Sequence, residues 1–168
     1  LPLNVSREIL QQSASLEKIK TNLTNKVLNT LEEMKKSDFD KYVEFYQDMG
    51  IFLREGAHQD HGNRGKLSEL LLFESTKTDP ASSENPNARR FTSLADYVER
   101  MPGDQTEIYY LAGESREILE QSPLLESFKA KGREVLFLTD PADEFVVESL
   151  REYKGKPFQA IDKAGADA

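Results

Sequence analysis

Residues 134–141 read EVLFLTDP, four consecutive apolar residues between a glutamate and a Thr-Asp-Pro turn. A short run that is apolar throughout is typical of a strand buried on both faces of a sheet. Asp140 is suited to begin a helix, because its carboxylate can accept a hydrogen bond from a free first-turn N–H group. The stretch therefore predicts a buried strand at 135–138, followed by a helix that runs to about Glu152.

Strands and helices alternate on both sides of this stretch. The apolar run at 108–111 predicts a second central strand, and residues 157–161 predict a third strand at the edge of the sheet. Further short helices are predicted to start at Ser93, Glu114 and Ser122. This alternation indicates an α/β fold, with a short and mainly parallel sheet covered on both faces. We expect a small α/β/α subdomain over 92–162 and a frayed tail over 163–168.

The first part of the chain, residues 1–74, predicts helices. Steps of three and four separate the apolar residues of one stripe, which is typical of a single long helix: Leu16, Ile19, Leu23, Val27, Leu31 and Met34. Ser6 is the expected N-cap of this helix, and Lys35, Lys36 and Ser37 are expected to close it.

Two more helices are predicted after the long one. Residues 37–40 have the spacing of a capping box, the aromatic-rich stripe from Phe39 to Phe52 is the expected core face of the second helix, and Gly56 is its expected end. A third helix is predicted over Lys66–Phe73. Together these helices form a three-helix coil, which the polar, proline-bearing loop 75–91 separates from the sheet.

Composition excludes several classes of function. The chain has 22 Lys and Arg residues against 30 Asp and Glu residues, a net charge of −8 over 168 residues. An acidic chain does not favour a nucleic-acid or anionic-membrane surface, and no apolar run is long enough to span a bilayer. Because there is no cysteine, disulfides, cysteine-type zinc sites and thiol catalysis are excluded.

Arg7 is the first candidate for chemistry. If the helix starts at Ser6, Arg7 lies at the positive end of the helix dipole, where a cation is disfavoured unless it serves a purpose. Free first-turn N–H groups and a guanidinium together can bind an anion such as phosphate, and Gln11 lies one turn further on the same face. The alternative is a surface arginine that pairs with a carboxylate such as Glu8.

Two other candidates have simpler interpretations. Residues 58–61 read HQDH and offer two imidazoles and a carboxylate, but a zinc site needs three or four ligands on a rigid frame. We favour a solvated turn between helices there. Asp140 and Gly113 follow the two central strands, so a phosphate-accepting aspartate at the sheet edge is conceivable. The glycines match no nucleotide-binding motif, and we favour the helix cap for Asp140.

Five stretches resemble signature sequences of the ninety-kilodalton heat-shock chaperones, in their bacterial HtpG branch. They are LPLNVSREILQQ at 1–12, LLLFEST at 70–76, TSLADYVERM at 92–101, IYYLAGES at 108–115 and EVLFLTDPADE at 134–144. The resemblance runs in order along essentially the whole chain. The loop at 81–90 departs from it, since this loop is longer and richer in Ser, Asn and Pro than the family pattern.

The resemblance implies that these residues are the later part of a chaperone middle segment. It implies that the arginine of the Asn-x-Ser-Arg-Glu motif, here Arg7, reaches the γ-phosphate of ATP held by an N-terminal domain. Gln11 would support that contact, and Asn4 would be a looser neighbour. Magnesium and the general base would lie in the N-terminal domain. We therefore expect no bound cofactor and no ATP hydrolysis by these residues alone.

The resemblance also implies partners. These are the N-terminal ATPase domain and a C-terminal dimerisation domain of the same protein, unfolded client proteins, and a chaperone of the Hsp70 type. A cytoplasmic location and a homodimeric parent are implied as well, with a monomer expected for these residues alone. The alternative hypothesis is a separate α/β interaction module, or a phospho-receiver built around Asp140.

Overall fold

The computed structural model describes residues 2–81 and 89–163, with side chains described from Ser6 onward in the first helix. The helices are α1 (Pro2–Ser37), α2 (Phe39–Gln59), α3 (Arg64–Leu70), α4 (Leu94–Arg100), α5 (Arg116–Glu120), α6 (Leu125–Ala130) and α7 (Pro141–Leu150). The strands are β1 (Leu72–Ser75), β2 (Thr92–Ser93), β3 (Ile108–Ala112), β4 (Val135–Leu138), β5 (Glu152–Tyr153) and β6 (Lys156–Ala160). Most of the predicted tail, and residues 82–88 of the predicted loop, lie outside the described residues.

The strands form one sheet in the order β2-β1-β4-β3-β6-β5. Its centre is parallel, because Tyr110 of β3 lies opposite Leu136 of β4 on one side and Ala160 of β6 on the other. The outer pairs β1–β2, β1–β4 and β5–β6 are antiparallel. The predicted α/β class and parallel centre are confirmed, and the antiparallel margins make the sheet as a whole mixed.

The prediction that residues 157–161 form an edge strand is wrong. β6 lies inside the sheet, and the two-residue strand β5 is its edge. A tight turn joins them, in which Lys154 and Gly155 have φ values of 50° and 77°. Positive φ at both central residues matches the right-handed twist of a two-residue hairpin, so this turn returns the chain along β6.

Both faces of the sheet are covered, as predicted. Side chains alternate along the central strands, so Tyr110 and Leu136 face one core while Tyr109 and Phe137 face another. The first core is shared with α1–α4 and α7, and the second with α5 and α6. The helices of the first part and the sheet of the second part therefore share the first of these two cores.

Helix boundaries in the first part differ from the prediction at several points. α1 begins at Pro2 rather than after Ser6. Proline is well tolerated in the first turn of a helix, because its φ is already helical and its missing N–H would have no partner there. α1 closes at Ser37 as predicted. Asp38, not Ser37, caps α2, and its side chain accepts a hydrogen bond from the N–H of Lys41 at 3.2 Å.

Gly56 does not end α2, which continues to Gln59. A Cβ at Gly56 would lie 3.3 Å from Cδ1 of Leu67, so glycine here allows α3 to pack closely against α2. The third helix is also shorter than predicted, since Leu72 and Phe73 belong to β1. A run of four apolar residues suits a buried strand as well as a buried helix, and periodicity alone does not separate the two.

The apolar stripe of α1 is buried only in its last part. Leu31 is buried against α2 and Met34 is partly buried, whereas Leu16, Ile19, Leu23 and Val27 are exposed. The aromatic stripe of α2 divides in the same way. Tyr42, Val43 and Tyr46 lie in the first core as predicted, but Phe52 is 63% exposed.

Candidate functional site

Arg7 lies in the second turn of α1, not in its first turn as the sequence predicted. Its side chain is exposed, and it forms no ion pair with any residue that the structure describes. Gln11 is exposed one turn later on the same face. The side chain of Asn4 lies outside the described residues. The structure thus places Arg7 and Gln11 on one face of α1 and describes no further side chain of the predicted site.

This position changes the physical argument for an anion site. The first-turn N–H groups belong to residues before Ser6, so they and the guanidinium do not form one cradle as proposed from the sequence. What remains is an exposed cation with an amide side chain beside it. The alternative pairing of Arg7 with Glu8 is not formed, since the described ion pairs do not include it.

The HQDH stretch is divided between a helix and a turn. His58 and Gln59 end α2, and Asp60 begins the turn to α3. Nδ1 of His58 lies 2.5 Å from the hydroxyl of Ser149, and Nδ1 of His61 lies 2.5 Å from Nη2 of Arg64. Among residues 2–81 and 89–163, no group of three or more metal-ligating side chains is found.

The sheet edge holds the residues that the sequence predicted there. Gly113 and Asp140 line one cleft, together with neighbours from the strand ends and helix starts: Ala112, Glu114, Leu138, Thr139, Pro141, Glu144 and Asp162. Oδ1 of Asp140 accepts a hydrogen bond from the N–H of Ala142 at 2.9 Å, and Oδ2 accepts one from Arg54 at 3.3 Å. Both oxygens therefore already have partners, which supports the helix-cap interpretation.

A second polar cluster joins α2 to α7. Nε of Arg54, on α2, lies 3.5 Å from Oδ1 of Asp143. Nη2 of the same guanidinium donates a hydrogen bond to Asp140. The guanidinium carbon of Arg54 also stands 5.7 Å from the ring centroid of Tyr46, which is a cation–π distance. Asp143 is largely buried, with 12% of its side chain exposed, whereas 47% of the Asp140 side chain is exposed.

The electrostatics of this cluster follow from burial. Burial raises the pKa of Asp143 to about 6, the positive charge of Arg54 acts against that rise, and the charge of Asp140 adds to it. Burial also raises the pKa of Tyr46 to about 12, with the charge of Asp143 as the second cause. The hydroxyl of Tyr46 has no hydrogen-bond partner of adequate geometry among the described residues, although Arg54 lies near it.

A third polar network lies around the first residues of β4. The buried hydroxyl of Tyr97 donates to the carbonyl oxygen of Glu134 at 2.6 Å and accepts from the N–H of Tyr109 and the amide of Gln105, both at 3.0 Å. Arg100 donates from Nε and Nη2 to the two carboxylate oxygens of Glu134, at 3.0 and 2.9 Å. This network fixes α4 to the sheet.

Apolar side chains are exposed on the α2 and α7 surfaces. Phe52 of α2 is 63% exposed and Phe145 of α7 is 60% exposed, with Ile51 and Met49 also largely exposed. A contiguous group of exposed apolar side chains marks a contact surface for another protein, whereas singly exposed ones are normal. No helix in the described part of the chain is long and apolar enough to cross a membrane.

Sequence reasoning named Arg7, Gln11 and Asp140 as candidates, and it named neither Arg54 and Asp143 nor the exposed Phe145. Arg54 and Asp143 are on different helices, and only the packing of α2 on α7 brings them together. The sequence did not indicate that Phe145 is exposed, because an apolar residue in a helix usually faces the core.

Comparison with known proteins places the whole chain in one family. The family described as "Hsp90 protein" matches residues 1–168. The chaperone protein HtpG of Geobacter sulfurreducens is 54% identical over 163 residues, which is 97% of this chain and 24% of that protein. The chaperone protein HtpG of Mycolicibacterium gilvum is 48% identical over 167 residues, 99% of this chain and 24% of that protein.

A solved structure agrees with the sequence comparison. The middle domain of a heat shock protein from Plasmodium falciparum superposes with a TM-score of 0.78 at 32% identity. The match covers 90% of this chain and 60% of that structure. This chain spans about a quarter of the length of the two bacterial relatives.

Proposed function

Because the chain belongs to the Hsp90 family, we propose that it forms the later part of the middle segment of an ATP-dependent, HtpG-type chaperone that assists protein folding under stress. Three features support this: the family match over all 168 residues, relatives named HtpG at about half identity, and the likeness to a solved middle domain. The division at 75–91 between a helical coil and an α/β/α subdomain remains part of this proposal.

Arg7 is the proposed functional residue of the segment. In the assembled chaperone its guanidinium contacts the γ-phosphate of ATP bound by the N-terminal domain, and Gln11 supports that contact. The observation that carries the proposal is the state of Arg7 itself. It is an exposed cation within the family's Asn-x-Ser-Arg-Glu motif, and it is not engaged in an ion pair by any described residue. An arginine reserved for a partner domain should be in that state.

Charge explains why an arginine suits this task. During phosphoryl transfer negative charge spreads over the terminal phosphate oxygens, and a guanidinium presents a planar set of donors that matches them. The charge arrives from another domain, so it acts only when the domains dock. Arginine fingers in other phosphoryl-transfer systems increase the rate by about 10³–10⁵, which is an upper bound here.

ATP and magnesium would be held by the N-terminal domain in this proposal. The residues of this chain that fit the nucleotide are Arg7 and Gln11, since both project into solvent from one face of α1. Asn4 is proposed as a looser neighbour of the same phosphate. In this proposal these residues alone do not hydrolyse ATP, because the nucleotide, magnesium and the general base belong to the N-terminal domain.

Clients and co-chaperones are the proposed partners. The exposed aromatic side chains of Phe52 and Phe145 support a surface for unfolded proteins, because such chains expose the apolar residues that aromatic rings contact. Docking of an Hsp70-type chaperone, homodimerisation through a C-terminal domain and a cytoplasmic location complete the proposal. We propose no contact with nucleic acid or membrane, in keeping with the net charge of −8.

A chimera tests the role of Arg7. The matching segment of the G. sulfurreducens HtpG is replaced by this chain, and steady-state ATP hydrolysis is measured for the chimera and its Arg7→Ala and Lys18→Ala variants. Lys18 is the matched control, because it is an exposed cation on the same helix. Arg7→Ala should lower turnover at least tenfold while Lys18→Ala leaves it unchanged. Equal turnover in all three proteins would show that the assigned role is wrong.

A further inference from the structure

A surface cleft of about 620 Å³ is lined by residues of α2, α3 and α7. His58 from the last turn of α2, Arg64 from the start of α3 and Arg151 from the end of α7 contribute its basic side chains. Neither arginine forms an ion pair with any carboxylate in the described part of the chain. Two guanidinium groups that lack such a partner are suited to an anionic ligand.

Arg64 is held in place by its neighbours. Its Nη2 contacts Nδ1 of His61, and because a guanidinium donates and never accepts, the imidazole is the acceptor of this hydrogen bond. Nε of Arg64 is buried, so the N–H groups that remain for a ligand are those at the outer end of the guanidinium. A side chain that is fixed before the ligand arrives loses little conformational entropy on binding.

Arg151 stands at a backbone position that favours glycine. It follows α7 directly with a φ of 64°, a value that is unfavourable for any residue with a Cβ atom. The side chain of Arg151 is exposed. Strain of this kind tends to occur at functional sites, so the arginine here is explained if its side chain binds a ligand.

An aromatic wall and a hydroxyl complete the cleft. Phe145 is 60% exposed, and the centroid of its ring lies 6.3 Å from that of His58. Nδ1 of His58 lies 2.5 Å from Oγ of Ser149. The ring of a ligand can pack on Phe145 while its charged end meets the basic side chains. We propose that this cleft binds an aryl phosphate, with the phosphate on Arg64 and Arg151 and the aryl ring against Phe145.

Two features of the cleft oppose an anion and limit the affinity. Glu148 lines the same cleft, and the negative ends of α2 and α7 lie there as well. A phosphate has three terminal oxygens where a carboxylate has two, so it can accept hydrogen bonds from both guanidinium groups at once. The dissociation constant for an aryl phosphate should therefore be about 1 mM, with a carboxylate of the same size binding more weakly.

The test is an NMR titration of the 168-residue chain at constant ionic strength. The probes are phenyl phosphate, inorganic phosphate and benzoate. Phenyl phosphate should shift the backbone amide signals of residues 58–64 and 145–151 in a saturable way. Inorganic phosphate should bind about threefold more weakly because it lacks the ring, and benzoate about tenfold more weakly. The absence of a saturable shift at these residues, or equal binding of benzoate and phenyl phosphate, would overturn the proposal.

Arg151→Gly separates binding from folding. Glycine relieves the positive φ, so the variant should melt no lower than the wild type, while it should bind phenyl phosphate about fivefold more weakly. Glu148→Gln should tighten binding about twofold because it removes an opposing charge. Glu117→Gln, an equally exposed position on α5, should leave the affinity unchanged. Wild-type affinity in Arg151→Gly, or equal affinities of the two glutamine variants, would contradict the assigned site.

The aromatic wall is tested separately. Phe145→Ala should bind phenyl phosphate and inorganic phosphate equally, since the ring that distinguishes them is gone. Phe52→Ala, which removes an exposed ring elsewhere on α2, should keep the threefold preference of the wild type within about twofold. A preference that survives in Phe145→Ala would show that the ligand does not lie against this ring.

Discussion

Tyr97→Phe is the substitution whose effect the structure defines most closely. The side chain is fully buried and its ring would stay in place, so the change removes only the hydroxyl. That hydroxyl connects the carbonyl of Glu134, the N–H of Tyr109 and the amide of Gln105. We expect the variant to fold with the same architecture and with lower stability.

The loss can be estimated from the partners left behind. Gln105 keeps its hydrogen bond to the carbonyl of Glu107 at 2.7 Å, so its cost is small. The carbonyl oxygen of Glu134 and the N–H of Tyr109 are buried, and each loses its hydrogen bond to the hydroxyl. A buried polar group that loses its partner costs about 1–3 kcal/mol. Allowing for partial relaxation, the free energy of unfolding should fall by roughly 2–4 kcal/mol.

Urea unfolding followed by circular dichroism measures this loss, with Tyr110→Phe as the matched control. Tyr110 is the next residue of β3, is also buried, and its hydroxyl forms no hydrogen bond with the described part of the chain. Tyr110→Phe should change the free energy of unfolding by less than about 0.5 kcal/mol. If Tyr97→Phe lowers the free energy of unfolding no more than Tyr110→Phe does, the Tyr97 hydroxyl does not hold α4 to the sheet.

Two further predictions concern packing and client contact. A Cβ at Gly113 would lie 2.6 Å from Cδ2 of the buried Leu119, so Gly113→Ala should lower the free energy of unfolding by about 1–3 kcal/mol. Gly103→Ala, where nothing lies within 4 Å, should be close to neutral, and equal melting temperatures of the two variants would contradict the packing. Phe52→Ser should weaken suppression of aggregation of a reduced, carboxymethylated protein by the chimera severalfold, while Ile118→Ser, on α5, should not. Equal suppression by both would remove Phe52 from the client surface.

The sequence alone predicted the centre of the sheet well. β4 was predicted with its observed bounds, because four apolar residues stand between polar ones and no helical period competes. Asp140 was predicted as a cap from local chemistry, and the structure confirms it. Both features depend on residues close together in the chain.

The failures have a common physical cause, since each depends on contacts between distant segments. Leu72 and Phe73 become a strand because β2 offers them a partner, and Gly56 stays helical because Leu67 packs against it. The Arg54–Asp143 contact is likewise set by helix packing. Arg7 became a candidate through helix-end electrostatics, and that reason proved wrong because α1 begins earlier. Its proposed role now depends on the family motif and on its exposure.

Cleavage of bound ATP in a single turnover tests the central claim most directly. The chimera, with Arg7 intact or changed to Ala, is mixed in excess with ATP, and both the cleavage rate and the nucleotide affinity are measured. An arginine that acts on the terminal phosphate should leave the affinity within about twofold and slow cleavage at least tenfold, with about 10³–10⁵ as the upper bound. An unchanged cleavage rate at saturating enzyme would contradict the claim, whatever the effect on affinity.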